Sequence, residues 1–138
     1  MFALQSNTKR GPIVVVAGDD LTGKEGYLVK IGNNAGVPSA YLPAAVTDVA
    51  GYVVAEGAAA GANVTLIPLE PGMQVRVVSN STTFVPGDKV VGFASSKAGL
   101  ASEYTGSGAA FIVGIAEEVG DTAGQYLLIR ALLSYWTA

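Results

Sequence analysis

The feature that most constrains this chain is the shortness of its apolar runs. Stretches such as Ile13-Val14-Val15-Val16-Ala17, Tyr27-Leu28-Val29-Lys30-Ile31 and Val64-Thr65-Leu66-Ile67 end within a few residues at Gly, Pro, Asn or Asp. Val, Ile and Tyr dominate them, and such side chains fit a pleated, half-buried surface, whereas the punctuating residues set turns. The fold is therefore read as all-β. Strands are predicted over 13–17, 27–31, 39–42, 49–54, 64–69, 74–79, 89–94, 111–117 and 126–133. The clearest alternation is Met73-Gln74-Val75-Arg76-Val77, where a period of two puts Met73, Val75 and Val77 on one face and Gln74 and Arg76 on the other. Two stretches could pass as helix, 54–62 and 95–104, but Gly57 and Gly61 interrupt the first and Gly99 the second. Each interior glycine costs about 1 kcal/mol relative to alanine in a helix, so both are read as loops or single turns.

A chain of 138 residues is the size of one domain. Residues 1–10 have no strand pattern and are read as an extended N-terminal arm; 11–138 form a single β domain, a small barrel or sandwich. Within it, Gly51, Gly57 and Gly61 recur as Gly114, Gly120 and Gly124, each after the same interval of 63 residues. Ala35-Gly36 returns as Ala98-Gly99 at that interval, and the apolar run 64–69 falls on 127–132. This reads as an internal duplication, with pseudo-repeats over 26–79 and 87–133 and glycines supplying positive-φ turns or bulges.

Composition narrows the chemistry. The chain has no cysteine and no histidine, which removes disulfides, thiolate nucleophiles, the commonest general base and the main soft metal ligands. Charged residues make up 14% of the chain with a net charge of −3, so no basic field is available to neutralise phosphates, and nucleic acid is not an expected partner. No apolar run approaches the ~18 residues of a bilayer span. The basic pair Lys9-Arg10 follows the short apolar patch at the N-terminus, the reverse of a secretory signal, so neither export nor a membrane partner is expected. Sparse charge among many Ala, Val and Gly leaves weakly polar surface, which on a soluble protein marks contact with something else.

Several segments imitate functional motifs. Gly18-Asp19-Asp20-Leu21-Thr22-Gly23-Lys24-Glu25 has the spacing of a nucleotide-binding loop, but Glu25 stands where a Mg²⁺-ligating hydroxyl is needed and a strand follows in place of a helix. Pro86-Gly87-Asp88-Lys89 could carry a modified lysine on a hairpin, yet it reads more simply as a turn. Asp19, Asp20 and Glu25, and separately Glu117, Glu118 and Asp121, lack the alternation of oxygen ligands found in a calcium loop. No catalytic residue, cofactor or metal is expected, and the chain is not read as an enzyme.

The pattern resembles the small β-barrel head decoration, or capsid cement, proteins of tailed phages. The resemblance spans about residues 11–133. It rests on Gly26-Tyr27-Leu28-Val29-Lys30, Val49-Ala50-Gly51-Tyr52-Val53 with its small-residue loop to Gly61, Pro86-Gly87-Asp88-Lys89-Val90, and Phe111-Ile112-Val113-Gly114-Ile115-Ala116-Glu117. It implies a β-barrel or β-tulip-like subunit, commonly a homotrimer, that binds the major capsid protein on the capsid exterior of a virion assembled in the host cytoplasm. Such a subunit bridges capsomers and stabilises the head. The alternative is a phage tail, baseplate or glycan-binding receptor module, whose aromatics would stack on sugars. Contact residues are expected among the aromatic and apolar side chains of the termini and one loop: Phe2, Leu4, Tyr104, Tyr135 and Trp136.

Overall fold

A computed structural model describes residues 11–80, 83–92, 96–102, 109–120 and 122–137, with Trp136 and Thr137 described by their backbone alone. The described residues form ten strands: β1 (Ile13–Ala17), β2 (Leu28–Asn34), β3 (Val37–Tyr41), β4 (Tyr52–Glu56), β5 (Asn63–Pro68), β6 (Gln74–Val78), β7 (Lys89–Val91), β8 (Gly99–Leu100), β9 (Ala109–Ala116) and β10 (Tyr126–Thr137). The all-β reading holds, and the predicted strands agree with those observed to within a few residues at their ends. The exception is β8, which lies in the stretch read as a loop. A two-residue strand that begins with glycine has no periodicity to detect.

Strands β1 to β5 close into a barrel in the order β1-β3-β2-β4-β5, sealed by antiparallel pairing of β1 with β5 and parallel pairing of β1 with β3. Strands β6 to β10 form a sheet in the order β6-β10-β9-β7-β8. Starting from the first strand of each unit, the neighbours run first, fifth, fourth, second, third in both. The second sheet also brings its ends together through an isolated parallel bridge between Ser79, just after β6, and Ala98, just before β8. That bridge occupies the place of the parallel β1–β3 seam.

The interval of 63 residues acquires a physical meaning here. Gly61 and Gly124 sit in the turns that launch β5 and β10, with φ of +87° and +89°, a left-handed conformation that costs other residues about 1–2 kcal/mol. Leu21 and Phe84, at the same interval, are both fully buried. The Leu21 amide donates to the Ala58 carbonyl at 2.8 Å, and the Phe84 amide donates to the Gly120 carbonyl at 3.2 Å. Each plug lies against a glycine: a Cβ on Gly57 would collide with the Leu21 carbonyl oxygen, and one on Gly120 would stand 3.1 Å from the Phe84 Cβ. The structural units run from β1 to β5 and from β6 to β10. Pseudo-repeats drawn at 26–79 and 87–133 therefore miss the first strand of each unit, because the glycine spacing marks the turns and not the strands that precede them. The arm assigned to residues 1–10 lies outside the described residues.

Alternation along the barrel strands divides the core. Val29 and Val54 point into the barrel with Ala17, Leu21, Ala40, Val64 and Leu66, whereas their neighbours Leu28 and Val53 point outward. With Ala50 and Leu69, these outward residues join a second cluster that contains Val77, Phe84, Val90, Phe111, Val113, Leu127 and Ile129. One outer wall of the barrel is thus roofed by the second unit and kept dry. Burying a Val or Leu side chain contributes about 1.5–3 kcal/mol, so this shared layer holds the two units together. The predicted alternation on β6 is present: Met73, Val75 and Val77 face this cluster, while Gln74 and Arg76 are exposed.

Candidate interaction surface

Where the two units meet at one end, β4 and β5 of the barrel and β9 and β10 of the sheet enclose an open groove of about 310 Å³. It is lined by Val49, Gly51, Tyr52, Pro68, Leu69, Phe111 and Leu133. Local geometry explains its walls. Tyr52 pairs with Pro68, and the Leu69 amide donates to the Gly51 carbonyl at 2.9 Å, which fixes the barrel side. On the sheet side Phe111 pairs with Tyr135, their ring centroids 5.3 Å apart and 67° from parallel, an edge-to-face arrangement. The Tyr135 hydroxyl donates to the Thr47 carbonyl at 3.0 Å, and the Phe111 amide donates to the Val46 carbonyl at 2.8 Å. The loop over residues 42–51 is in this way tied to the second unit by two hydrogen bonds. Val49 remains 50% exposed and Tyr135 58%, so the rim presents apolar surface to solvent.

Asp48 holds that loop in shape. One oxygen, Oδ2, accepts from the Ala44 amide at 2.7 Å, the Ala45 amide at 3.2 Å and the Lys30 ammonium at 2.9 Å. The Lys30 hydrogen bond, reinforced by the two amides, holds the Asp48 carboxyl below its ordinary range.

A second polar-edged hollow of about 380 Å³ lies beside Pro71, Gly72, Ile115, Glu117, Arg130 and Leu132. Its charges are spent on one another. Glu117 accepts from the Gln74 side-chain amide at 2.8 Å and from Arg130 Nε at 3.0 Å, while Arg130 Nη1 donates to the Gly72 carbonyl. The Gln74 amide, followed by Arg130, pulls the Glu117 carboxyl below its usual range. Glu118 accepts from Arg76 and from the Leu128 amide. Among the described residues no group of three or more acidic side chains is arranged to hold a metal ion.

Of the contact residues expected from the sequence, Phe2, Leu4 and Tyr104 lie outside the described residues. Tyr135 is on the rim of the groove. The backbone of Trp136 pairs with Ala110 one step further along β10. Sequence reasoning missed Val49, Tyr52, Pro68, Leu69, Phe111 and Leu133, which come together only once the two units dock. The one local signal was the Val49-Ala50-Gly51-Tyr52 run, apolar but too loosely patterned to assign to one face.

The motif-like segments serve the scaffold. In the loop after β1, Asp19 Oδ2 accepts from the Leu42 amide at 2.9 Å and Asp20 Oδ1 from the Thr22 amide at 3.1 Å. Leu21 plugs the barrel, and the Lys24 ammonium lies 5.1 Å from the centre of the Tyr27 ring. The turn before Lys89 has Gly87 at φ +97°, and Asp88 accepts from the Val85 amide at 2.9 Å. Asp121 lies outside the described residues.

No protein-family model matches the sequence, and no curated protein matches it. Among solved structures, the chain is similar to the crystal structure of the head fiber gp8.5 N base of bacteriophage phi29. The TM-score is 0.69 and the identity 16%, over 93% of this chain and 98% of that one. At that identity the likeness establishes a shared fold, and it takes in both five-stranded units together.

Proposed function

We propose that this chain is a structural protein of a phage head, working by adhesion to other protein subunits on the capsid exterior. The observation that carries this reading is the likeness to a head fiber base over nearly the whole of both chains. The surface agrees with it: a rigid two-unit scaffold presents an apolar groove rimmed by Val49 and Tyr135, the kind of patch that anchors protein contacts. In the finer form of the proposal the partner is the major capsid protein, the chain assembles as a homotrimer, and each bound copy cements neighbouring capsomers. A protein contact of standard size buries about 1,600 Å², and repetition around a shell multiplies modest affinities through avidity.

The test is to mix the purified chain with empty shells of its own phage, measure co-sedimentation, and heat the shells with and without it. Saturable binding with a raised shell-failure temperature is expected. Shells that neither bind the chain nor change in robustness would remove the cementing role. Reproducible binding to a glycan array without shell binding would replace it with a receptor-binding role.

A further inference from the structure

The two units also meet at the start of β10, on a patch that carries unpaired charge. Val78, the last residue of β6, ties the pieces together. Its amide donates to the Gly26 carbonyl at 3.0 Å, its carbonyl accepts from the Ala98 amide at 2.7 Å, and it stands across from Tyr126. Gly26 and Tyr27 belong to the barrel unit, Ala98 and Tyr126 to the sheet. The Tyr126 ring lies over Gly26, where a Cβ would stand 2.6 Å from it. Tyr126 is nevertheless 55% exposed.

Two cations converge on the neighbouring ring, one from each unit. The Lys24 ammonium stands 5.1 Å from the centre of the Tyr27 ring and the Lys97 ammonium 5.8 Å from it. Such a contact holds a cation without neutralising it. Among the described residues Lys30, Arg76 and Arg130 each have a carboxylate partner, whereas neither Lys24 nor Lys97 has one within ion-pair distance. Asp20, in the loop of Lys24, is turned to the Thr22 amide at 3.1 Å and feels Lys24 only beyond contact distance. Like charges gathered at one ring repel until an anion joins them, and the chain around them, with a net charge of −3, gives them no described acid to hold.

We infer that Lys24 and Lys97, with the exposed ring of Tyr126 beside them, bind an extended acidic segment of another protein. Carboxylates two residues apart on an extended chain are separated by about 6.6 Å, a spacing that two ammonium groups on one ring can share. The exposed tyrosine supplies the apolar anchor that protein contacts use. A sugar finds less here, because the Gly26 carbonyl and both main-chain groups of Val78 are already bonded. Tyr135 follows Tyr126 on β10 by roughly 25–30 Å of strand, so this site is separate from the groove. It is a property of the free chain and does not depend on the shell-binding role.

The test titrates the full chain, labelled with nitrogen-15, with a hexaglutamate peptide at low salt. Saturable shifts are expected at the amides of Tyr27, Ala98 and Tyr126, with none at Val64 in the barrel wall and none anywhere with hexaserine. Lys24→Ser/Lys97→Ser should weaken the binding about tenfold, the worth of two partly exposed ion pairs, whereas Lys24→Arg/Lys97→Arg should keep it within about threefold of the parent. An unmoved Val64 amide in each variant checks that the barrel is intact. Absence of saturable shifts, or equal affinity in the parent and the serine variant, would overturn the site. Inorganic phosphate or oligogalacturonate acting as strongly as hexaglutamate would overturn an acidic protein segment as its occupant.

Discussion

Replacing Phe84 by alanine tests whether the two units form one cooperative structure. Phe84 is fully buried in the second unit, but its cluster includes Leu28, Ala50, Val53 and Leu69 from the outer wall of the barrel. Truncating a buried Phe to Ala costs about 3–5 kcal/mol, the lost transfer energy plus the cavity that rigid surroundings leave behind. Gly120, packed beneath the ring, has no side chain to move into the space. For a domain of this size such a loss lowers the melting temperature by about 10–20 °C. Calorimetry and urea unfolding followed by two probes should give a single transition displaced to lower stability, because weakening the shared layer weakens both units. Two separated transitions, with the later one at the parent's midpoint, would refute the reasoning. They would mean that the barrel does not draw its stability from the roof.

Gly57→Ala should destabilise by about 1–3 kcal/mol or more, since its Cβ meets the Leu21 backbone, whereas Gly51→Ala, with open space and an ordinary φ, should stay within about 0.5 kcal/mol of the parent. Equal melting temperatures for the two variants would contradict the packing. Asp48, its carboxyl held below the ordinary value of 3.8 by Lys30 and two amides, contributes stability that is fully present above that value and lost as pH falls through the lowered folded pKa. Asp48→Asn should therefore flatten the acid limb of a stability-against-pH curve below pH 3.8 and lower the plateau above it; an unchanged limb would show that the clamp carries no linked proton.

How much of this was legible beforehand depends on the range of the interaction. The strand 13–17 was readable as a short Val- and Ile-rich run between Pro12 and Gly18, and the two-faced pattern of 73–77 because a period of two is a local property of a half-buried strand. The 63-residue recurrence was readable because Gly61 and Gly124 are required by backbone conformation, independently of what surrounds them. The unit boundaries were not, since β1 and β6 carry no glycine landmark and find their partners, β5 and β10, many residues later. The groove was hidden for a similar reason: Pro68 and Phe111 are ordinary strand residues, and Leu133, at φ +56°, lies in the register shift of β10, until the second unit docks on the barrel wall. Tyr135 was singled out by its chemistry alone, as an aromatic near the end of the chain, and the structure leaves it exposed beside the groove.

The order of pairing sets a schedule for a nascent chain. The barrel has all its strands once Pro68 has been made, yet its outward Leu28, Val53 and Leu69 wait for Leu127 and Ile129, which are synthesised near the end. Until then a completed barrel leaves the ribosome with a wet apolar flank, the condition in which partly made proteins stick to one another. The strand that arrives last is thus the one that closes this window, and slow translation through the second half would prolong the hazard.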